Sequence, residues 1–371
     1  MLIEGIFAAV PTPFYPDERI YFRKLEANIA HYSRSLLAGM LLLGSTGEAA
    51  MLDDAESREV LRVAAEAAAA EKVLIAGVGR ESVKGTVELA EAAARFGYDA
   101  VLVRTPTYYA KQMNAPVVLH YFRSVADRSP LPVLLYSVPQ CVPYEIPIEV
   151  AAELAQHPNI LGIKDSSGSV ERIDALVKAT RSAARRTVTV TPIFEAVTSR
   201  MLTPKAGRED ALVSIGGVLD SADKQNMNQS RSGDKNGEIK RAEQPVTSPV
   251  AAIKTRTKEI GFQVLCGSAG ALLGSLEAGA SGGILALAAC APQACQEVYQ
   301  AWKDHDPRLA AEKQERITLA NRRIVGELGI AGLKYGCDFN GYYGGRTRAP
   351  LLAMAAAEKA EIEGLLAGIR N

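Results

Sequence analysis

Lys164 stands where an apolar run gives way to polar residues, and it is the side chain best suited to covalent chemistry. It follows the run Ile160–Ile163, which has the pattern of a strand buried on both faces. Burying a charged ammonium is costly, which favours the neutral amine, the form that attacks ketones to give Schiff bases. The alternative is a structural ion pair between Lys164 and Asp165 or another acid at the strand end.

Two hydroxyl groups and a phenol follow other apolar runs. Ser45 and Thr46 lie between Gly44 and Gly47, in a turn whose N–H groups could hold a carboxylate or a phosphate. A simple turn with a helix cap is the alternative. Tyr136 ends a third apolar run, where a phenol can donate and accept a proton, although most tyrosines serve only in packing.

Two loops add further candidate groups. Tyr108 and Tyr109 form a polar aromatic cluster after the apolar run Ala100–Arg104. Gly267 opens a loop of small residues, Gly267–Gly270, where a backbone can approach a ligand closely. Five predicted strand ends thus carry small, hydroxyl or amine groups, and this co-location indicates a site more strongly than any one motif.

Short apolar runs alternate with amphipathic, alanine-rich stretches through most of the chain, which predicts a parallel sheet covered by helices. Eight such units fit a (β/α)8 TIM barrel better than an open sheet, and the candidate residues fall at the carboxyl ends of strands, where such barrels carry catalytic groups. The predicted strands are Ile3–Val10, Gly39–Leu43, Val73–Val78, Ala100–Arg104, Val133–Tyr136, Ile160–Lys164, Phe262–Cys266 and Gly283–Leu287.

Helices are predicted after each strand. They are Tyr21–Leu36, Asp53–Ala70, Val83–Phe96 with Ser82 as N-cap, Ala115–Ala126, Ile148–Gln156, Val170–Thr180, Ala269–Ala278 and Pro292–Trp302. Two further helical stretches, Pro307–Leu328 and Leu351–Ile369, follow the barrel. The chain is therefore predicted to consist of a barrel over residues 1–305 and a C-terminal helical extension over residues 306–371.

The strand–helix pattern fails between the sixth and seventh units, where residues from about 182 to 258 form an insertion. Val188–Val190 and Leu212–Ile215 could be strands and Ile193–Met201 a short helix, while residues 221–257 have the polar composition of a disordered tract. An insertion between a helix and a strand of a barrel lies opposite the active site. We expect it to affect the surface or assembly rather than chemistry, unless it is an artefact of the gene model.

Composition argues against several classes of function. Forty-two basic and forty-two acidic residues cancel, so nucleic-acid binding is not expected, and no apolar run is long enough to cross a membrane. The apolar N-terminus lacks a basic start and is broken by proline, unlike a signal peptide. Five scattered cysteines and four dispersed histidines fit a cytoplasmic protein with reduced thiols, no metal and no cofactor.

Three motifs together resemble the dihydrodipicolinate synthase / N-acetylneuraminate lyase superfamily. They are GSTGE at Gly44–Glu48, YxxP at Tyr136–Pro139 and GIKDSSG at Gly162–Gly168. The resemblance covers residues 1 to about 181 and about 259 to 350, and omits the insertion. It implies a metal-independent class I aldolase that acts on a small 2-oxo acid and assembles as a homo-oligomer, a tetramer or a dimer.

The same resemblance implies roles for individual residues. Lys164 would form the Schiff base, and Tyr136 would shuttle protons while a C–C bond is made or broken. Ser45 and Thr46 would bind the carboxylate of the 2-oxo acid.

A second tyrosine would support the proton relay by reaching into the site of a neighbouring subunit. Tyr109 matches this residue, with Tyr108 as the alternative, because Thr107 shifts the local count.

Within the superfamily, the chain looks most like the 4-hydroxy-2-oxoglutarate aldolase branch. The segments that carry this likeness are YSVP, KDSSG, FQVLCGSAG at Phe262–Gly270 and GLKYGCDFNGYYGGRTRAPL at Gly332–Leu351. It implies cleavage to pyruvate and glyoxylate, with Ser166 and Gly267 near the substrate. Thr46 stands where that branch often has asparagine.

Two other functions remain open. A dihydrodipicolinate synthase would condense pyruvate with aspartate semialdehyde, but the arginine that binds the second carboxylate is Cys141 here, and a thiol cannot replace that bidentate clamp. Arg346 and Arg348 could bind a distal carboxylate, although surface or assembly roles fit them better. The third reading is a non-catalytic barrel that binds keto acids, against which the joint presence of Lys164, Tyr136 and GSTGE argues.

Overall fold

The computed structural model describes residues 1–142, 144–192, 195–202 and 254–369. The strands described there are, in chain order, β1 Gly5–Ala9, β2 Gly39–Leu42, β3 Val73–Gly77, β4 Ala100–Arg104, β5 Val133–Ser137, β6 Ile160–Asp165, β7 Arg186–Val190, β8 Arg256–Ile260, β9 Gln263–Cys266 and β10 Gly282–Leu285. Eight of them are parallel and form a closed barrel in the order β1-β10-β9-β6-β5-β4-β3-β2, which confirms the predicted (β/α)8 barrel.

The barrel strands are buried on both faces, which explains their continuous apolar runs in the sequence. Alternate residues point into the barrel, where Phe7, Leu102 and Leu134 belong to one apolar cluster. The residues between them point outward, and Val103 and Leu135 pack in a second cluster with the surrounding helices. The period-two alternation of a strand therefore divides the core into an inner and an outer layer.

Helices cover the barrel and extend beyond it. They are α1 Phe22–Ser33, α2 Asp54–Ala67, α3 Val83–Arg95, α4 Ala115–Arg128, α5 Ile148–Leu154, α6 Val170–Thr180, α7 Ser199–Leu202, α8 Leu272–Glu277, α9 Pro292–Lys303, α10 Pro307–Ala320, α11 Gly329–Phe339 and α12 Ala356–Leu366. The Ser82 side chain accepts a hydrogen bond from Gly85 N, so the predicted N-cap of α3 is confirmed. At the start of α2, Asp53 and Glu56 form a capping box.

The C-terminal extension differs from its prediction in three ways, the first being that the helix expected over Leu351–Ile369 begins only at Ala356, as α12. The helix expected over Pro307–Leu328 is α-helical only to Ala320 and continues as a π-helical segment, Asn321–Glu327. Helix α11 was not predicted at all, because its three glycines lower the helix propensity of the segment. Packing explains one of them, since a Cβ on Gly336 would lie 3.2 Å from Leu366 Cδ1.

Part of the insertion is ordered as a two-stranded sheet outside the barrel. Strand β7 includes the predicted Val188–Val190, and it pairs antiparallel with β8, which the sequence pattern did not predict. The short helix expected over Ile193–Met201 is observed only as α7. The strand predicted at Leu212–Ile215 lies outside the described residues.

The described parts of the insertion pack at the amino-terminal ends of the barrel strands. The Arg186 guanidinium donates to the carbonyls of His157 and Ile160, at 3.1 and 2.8 Å, where β6 begins. In α7, Ser199 N donates to the buried Asp99 carboxylate, directly before β4. Lys164 lies at the other end of the barrel, so this part of the insertion is remote from it. Among the described helices, none is both long enough and apolar enough to span a membrane.

Candidate active site

Lys164 projects from the carboxyl-terminal part of β6, where its side chain is buried with only 4% of the residue exposed. Its Nζ lies 4.3 Å from the centre of the Tyr136 ring on the neighbouring strand. The register pairs Tyr136 with Lys164, and paired residues of parallel strands point to the same face. The strand register therefore brings the amine and the phenol together.

Asp165 points away from Lys164 and serves a structural purpose. Its carboxylate accepts hydrogen bonds from Arg172 Nε at 2.7 Å and from Ser167 N at 3.0 Å. Among the residues that the structure describes, no carboxylate forms an ion pair with Lys164. The alternative of a structural Lys164–Asp165 pair is therefore wrong.

Ser45 and Thr46 lie in a single 3-10 turn over Ser45–Gly47, directly after β2. The Ser45 hydroxyl lies 3.4 Å from the Tyr136 hydroxyl, so the turn faces the same space as the phenol. Thr12 fixes the turn by donating from its hydroxyl to the carbonyl of Gly47 at 2.7 Å. The structure thus brings Lys164, Tyr136 and Ser45 together, and Thr46 follows Ser45 in the same turn.

The C-terminal extension stabilises this turn through contacts with Glu48, the residue that follows it. The Glu48 backbone is left-handed, with φ +55°, and its buried carboxylate forms an ion pair with Lys334 of α11 and accepts from Arg348 N at 2.9 Å. Burial lowers the pKa of Lys334, and the charge of Glu48 opposes part of that effect. Glu48 lies 286 positions before Lys334 and 300 positions before Arg348 in the sequence. The motifs GSTGE and GLKYG alone could therefore not predict that these residues are in contact.

Arg348 is a clamp within the protein rather than a ligand for substrate. Its guanidinium makes two hydrogen bonds to the Glu56 carboxylate, at 2.8 and 2.7 Å, and donates to the carbonyls of Met51 and Glu18. The hydrogen bonds from Arg348 hold the pKa of Glu56 below its ordinary value.

Ser166 and Gly267 are neighbours at the ends of β6 and β9. Gly267 N donates to the carbonyl of Asp165 at 2.7 Å. A Cβ on Gly267 would lie 2.0 Å from Ser166 Oγ, so only glycine leaves room for that hydroxyl. The pair follows two residues after Lys164 and Leu265, which are register partners on β6 and β9.

Tyr108 and Tyr109 are exposed to 80% and 62%, and their rings make an edge-to-face contact at 5.1 Å. Glu81 anchors their loop by accepting from the backbone N–H groups of Thr107 and Tyr108, at 2.8 and 3.0 Å. Burial pushes the pKa of Glu81 upward, but these hydrogen bonds outweigh it and leave the pKa lowered. Within one described chain, neither tyrosine ring is brought to Lys164.

A cavity of about 530 Å³ opens at this end of the barrel, a size that suits a small metabolite. Ser45 and Tyr136 line it, and the exposed Cys141 lies on its wall. Arg80 and Arg104 also line it, and sequence reasoning missed both. They lie just after β3 and at the end of β4.

No group of three or more His, Cys, Asp or Glu side chains within the described ranges is arranged to hold a metal ion. The expectation of a metal-free site stays a prediction.

The sequence model of the dihydrodipicolinate synthetase family matches residues 2–188 and 236–368. The 4-hydroxy-tetrahydrodipicolinate synthase of Methanospirillum hungatei is 35% identical over 182 residues, which are 48% of this chain and 62% of that protein. The enzyme of the same name from Stenotrophomonas maltophilia is 38% identical over 191 residues, 49% of this chain and 61% of that protein. The matched region thus spans less than two thirds of the length of these relatives.

Solved structures share the fold over the full length. Dihydrodipicolinate synthase DapA-2 from Bacillus anthracis superposes with a TM-score of 0.75 at 18% identity and covers 100% of both chains. The chloride-inhibited dihydrodipicolinate synthase from Acinetobacter baumannii, solved with pyruvate, has a TM-score of 0.74 at 22% identity and covers 99% of this chain and 100% of that chain. At these identities the likeness establishes the fold.

Proposed function

The chain belongs to the dihydrodipicolinate synthetase family, and from this premise we propose that it is a class I aldolase whose Lys164 forms a Schiff base with a 2-oxo acid. One observation carries the proposal: a buried lysine amine lies 4.3 Å from the Tyr136 ring, at the carboxyl end of the barrel strands. Asp165 is already occupied by Arg172, so the amine is left for chemistry.

In the cleavage direction, the Lys164 amine attacks the keto carbon C2, and water leaves to give an iminium. The iminium withdraws the electron pair of the C3–C4 bond, which breaks as the C4 hydroxyl loses its proton and becomes an aldehyde. Tyr136 is positioned to take that proton, and its hydroxyl lies 3.4 Å from Ser45 Oγ, a contact through which a proton can pass. The enamine left on Lys164 is protonated at C3, and water then releases pyruvate and restores the amine.

The carboxylate of the 2-oxo acid would bind at the turn Ser45–Gly47, where the hydroxyl and N–H groups of Ser45 and Thr46 can hold an anion, while the Gly47 N–H donates to the Gly44 carbonyl at 3.0 Å. Ser166, packed against Gly267, would support the substrate from β6.

For the substrate, we favour 4-hydroxy-2-oxoglutarate, cleaved to pyruvate and glyoxylate. The second candidate is 4-hydroxy-tetrahydrodipicolinate synthesis from pyruvate and aspartate semialdehyde, which is favoured by the names of the curated relatives. Cys141 argues against it, because a neutral thiol on the cavity wall offers no paired donors for the carboxylate of the semialdehyde.

We also propose that the chain acts as a homo-oligomer, a tetramer or a dimer. The exposed pair Tyr108 and Tyr109 supports this, since two large rings at 80% and 62% exposure leave apolar surface uncovered in one chain. Tyr109, or alternatively Tyr108, would complete the proton relay of a neighbouring subunit. Sedimentation velocity of the wild type and of Tyr109→Ala would test the assembly, and a monomeric wild type would contradict it.

Borohydride trapping tests the Schiff base directly. Incubation with pyruvate and sodium borohydride should add to the protein one pyruvate, less a water, plus two hydrogens, and peptide mass spectrometry should locate the adduct at Lys164. Lys164→Ala should lose the adduct, while Lys84→Ala, on the exposed face of α3, should keep it. A wild type that forms no adduct would favour the non-catalytic barrel.

Turnover separates the two substrates. Pyruvate release from 4-hydroxy-2-oxoglutarate should exceed the rate at which the same preparation consumes aspartate semialdehyde in the presence of pyruvate. The reverse ranking would assign the synthase activity instead.

A further inference from the structure

We propose that Arg80 and Arg104 form a second anion site in the cavity, which binds the distal carboxylate of a dicarboxylic 2-oxo acid. This inference rests on the proposed function, because it assigns the half of the substrate that departs as the aldehyde. Arg80 and Arg104 are the cationic side chains that the described residues contribute to the cavity lining. Cys141, which also lines the cavity, carries no positive charge.

Arg104 belongs to the same row of side chains as the proposed catalytic pair. The register aligns Arg104 with Tyr136 and Tyr136 with Lys164 across three adjacent strands. Neighbouring strands lie about 4.8 Å apart, so Arg104 leaves the backbone two strands, or roughly 10 Å, from Lys164. A ligand bound at the amine can therefore extend along this row toward the guanidinium.

Gly79 makes room for the arginine on the cavity wall. A Cβ on Gly79 would lie 2.7 Å from Arg104 Cγ and 2.8 Å from Arg104 N, so any larger residue would displace the stem. The guanidinium is held by Nη1 donating to the Thr105 carbonyl at 2.9 Å and by Nη2 donating to Glu81 at 3.0 Å. A guanidinium has five N–H donors in a planar fork, so donors remain that match a carboxylate.

Arg80 follows Gly79 and lies on the same wall. Its Nη2 donates to Ser57 Oγ at 2.9 Å, and its ion pair with Asp54 is long, at 3.5 Å, with the Asp54 side chain 76% exposed. An exposed, distant partner is screened by water and neutralises little of the charge.

The charge balance of this wall favours an anion. Glu81 faces Arg104, but the same carboxylate also accepts three hydrogen bonds from Thr107 and Tyr108. Glu48, the other acid lining the cavity, is paired with Lys334. Arg104 thus has one close carboxylate, and Arg80 has only a distant, exposed one, so a ligand carboxylate would complete the balance.

The ligand class follows from this position. The carboxylate next to the keto group would bind at Ser45–Gly47, and a second carboxylate farther along the chain would bind at the arginines. A substrate with a neutral tail would offer no acceptor to the N–H donors that Thr105, Glu81 and Ser57 leave free on these guanidinium groups.

A matched pair of substrates tests the inference. 4-Hydroxy-2-oxoglutarate and 4-hydroxy-2-oxopentanoate share the keto-acid head and differ in the distal carboxylate or methyl group. In Arg104→Gln and in Arg80→Gln, kcat/KM for the diacid should fall about 10- to 100-fold, the loss of a charge-assisted hydrogen bond. The value for the monoacid should stay at that of the wild type, and Arg104→Lys should recover part of the loss because it keeps the charge without the fork.

Arg128→Gln is the control, because this exposed arginine ends α4, far from the cavity. Pyruvate trapping at Lys164 distinguishes failure of the proposed function from failure of the proposed anion site. A wild type that traps no pyruvate contradicts the proposed function. The anion site would be overturned by a wild type that traps pyruvate but cleaves the monoacid as well as the diacid. It would also be overturned by arginine variants that trap pyruvate and whose kcat/KM falls equally for both substrates or for neither. Should Arg104→Gln fail to fold, Arg80→Gln and Arg104→Lys carry the same comparison.

Discussion

At the scale of single residues, the site depends on which side chains the strand register aligns. Lys164 and Tyr136 are register partners on β6 and β5, so their contact follows from the pairing of two buried strands. Ser45 reaches the same point from β2, through a turn that Thr12 holds in place. The three groups therefore meet because rigid strands position them, an arrangement suited to chemistry.

Replacing Tyr136 by phenylalanine separates proton transfer from Schiff-base formation. Tyr136→Phe keeps the ring beside Lys164 and removes the hydroxyl, so turnover should fall about 10²-fold or more while pyruvate trapping persists. Steady-state kinetics and borohydride trapping measure the two steps. Tyr98→Phe is a matched control, since that buried hydroxyl donates to the Leu61 carbonyl at 3.0 Å in the helical layer. Unchanged turnover in Tyr136→Phe would remove its role as proton carrier.

Gly267→Ala should disturb Ser166 without touching Lys164. The new Cβ would displace the Ser166 hydroxyl, 2.0 Å away, and kcat/KM should fall about tenfold, the loss of one hydrogen bond to substrate. In a Ser166→Ala background the same substitution should lower kcat/KM much less, because the effects of substitutions at residues in contact are not additive. Gly364→Ala is the control, with no atom within 4 Å of its Cβ. Additive losses in the double variant would contradict this coupling.

The sequence predicted the residues that end apolar strands, because each is marked by its own neighbours in the chain. Lys164, Tyr136 and Ser45 could be found in this way. Glu48 and Lys334 could not be paired, because their contact depends on how the C-terminal helices pack. Arg104 was visible as the end of a strand, but only the register shows that it shares a row with Tyr136.

At the scale of elements, the C-terminal extension is part of the site's support. Lys334 on α11 pairs with Glu48, and Arg348 joins α2 through Glu56. Both contacts fix the segment that runs from the turn Ser45–Gly47 into α2. The extension therefore stabilises the proposed binding turn, and its Ile330 also lines the cavity.

The Arg348–Glu56 contact should appear in the acid stability of the protein. The folded state lowers the pKa of Glu56 through hydrogen bonds from Arg348, relative to about 4.3 in an unfolded chain. Folding thus favours the ionised Glu56 carboxylate. Its contribution to the stability of the folded protein is complete at pH values above about 4.3 and is lost as the pH falls through the lowered pKa. Glu56→Gln should unfold at a lower temperature than the wild type at neutral pH and lose less stability on acidification.

Thermal unfolding followed by circular dichroism between pH 7 and pH 3 measures this difference. Glu91→Gln, an exposed change on α3, should follow the wild-type curve. Parallel acid curves for Glu56→Gln and the wild type would show that the ion pair does not contribute to stability.

Elements with a clear period were predicted, and those without one were missed. The boundaries of α6 agree with the prediction. A serine N-cap marks the start of the helix, and an apolar stripe marks its buried face. Strand β8 was missed because its residues Arg256–Ile260 are mostly polar, and only pairing with β7 makes them a strand. The glycines of α11 hid a helix that tertiary packing stabilises.

At the scale of the whole molecule, the described part of the insertion and the proposed active site lie at opposite ends of the barrel. Strands β7 and β8 pair with each other and take no part in the barrel sheet. The closed barrel was predicted from eight repeated strand–helix units, whereas the polar insertion has no period from which its strand pairing could be predicted. The boundaries of the insertion and of the C-terminal extension stay predictions.

Deleting residues 221–250 should leave the protein folded and active. The deletion lies between the described segments and spares β8, so β7 keeps its partner. Pyruvate trapping and thermal unfolding should match those of the full chain. A deletion extended through Lys258 should be less stable, because it removes the residues that pair with Val188, Thr189 and Val190. A folded but inactive 221–250 deletion would assign the insertion a part in chemistry.

The closure of the barrel has a consequence for its biosynthesis. Strand β1 pairs with β10, and Gly5 lies opposite Gly282. During translation, nearly three quarters of the polypeptide must be synthesised before β1 can pair with β10, its second neighbour in the barrel. Until then the nascent chain carries an incomplete sheet with an exposed edge, the kind of surface that invites association between chains. The insertion ahead of β9 lengthens that interval, so the ribosome-bound protein should depend on chaperones more than an uninterrupted barrel would.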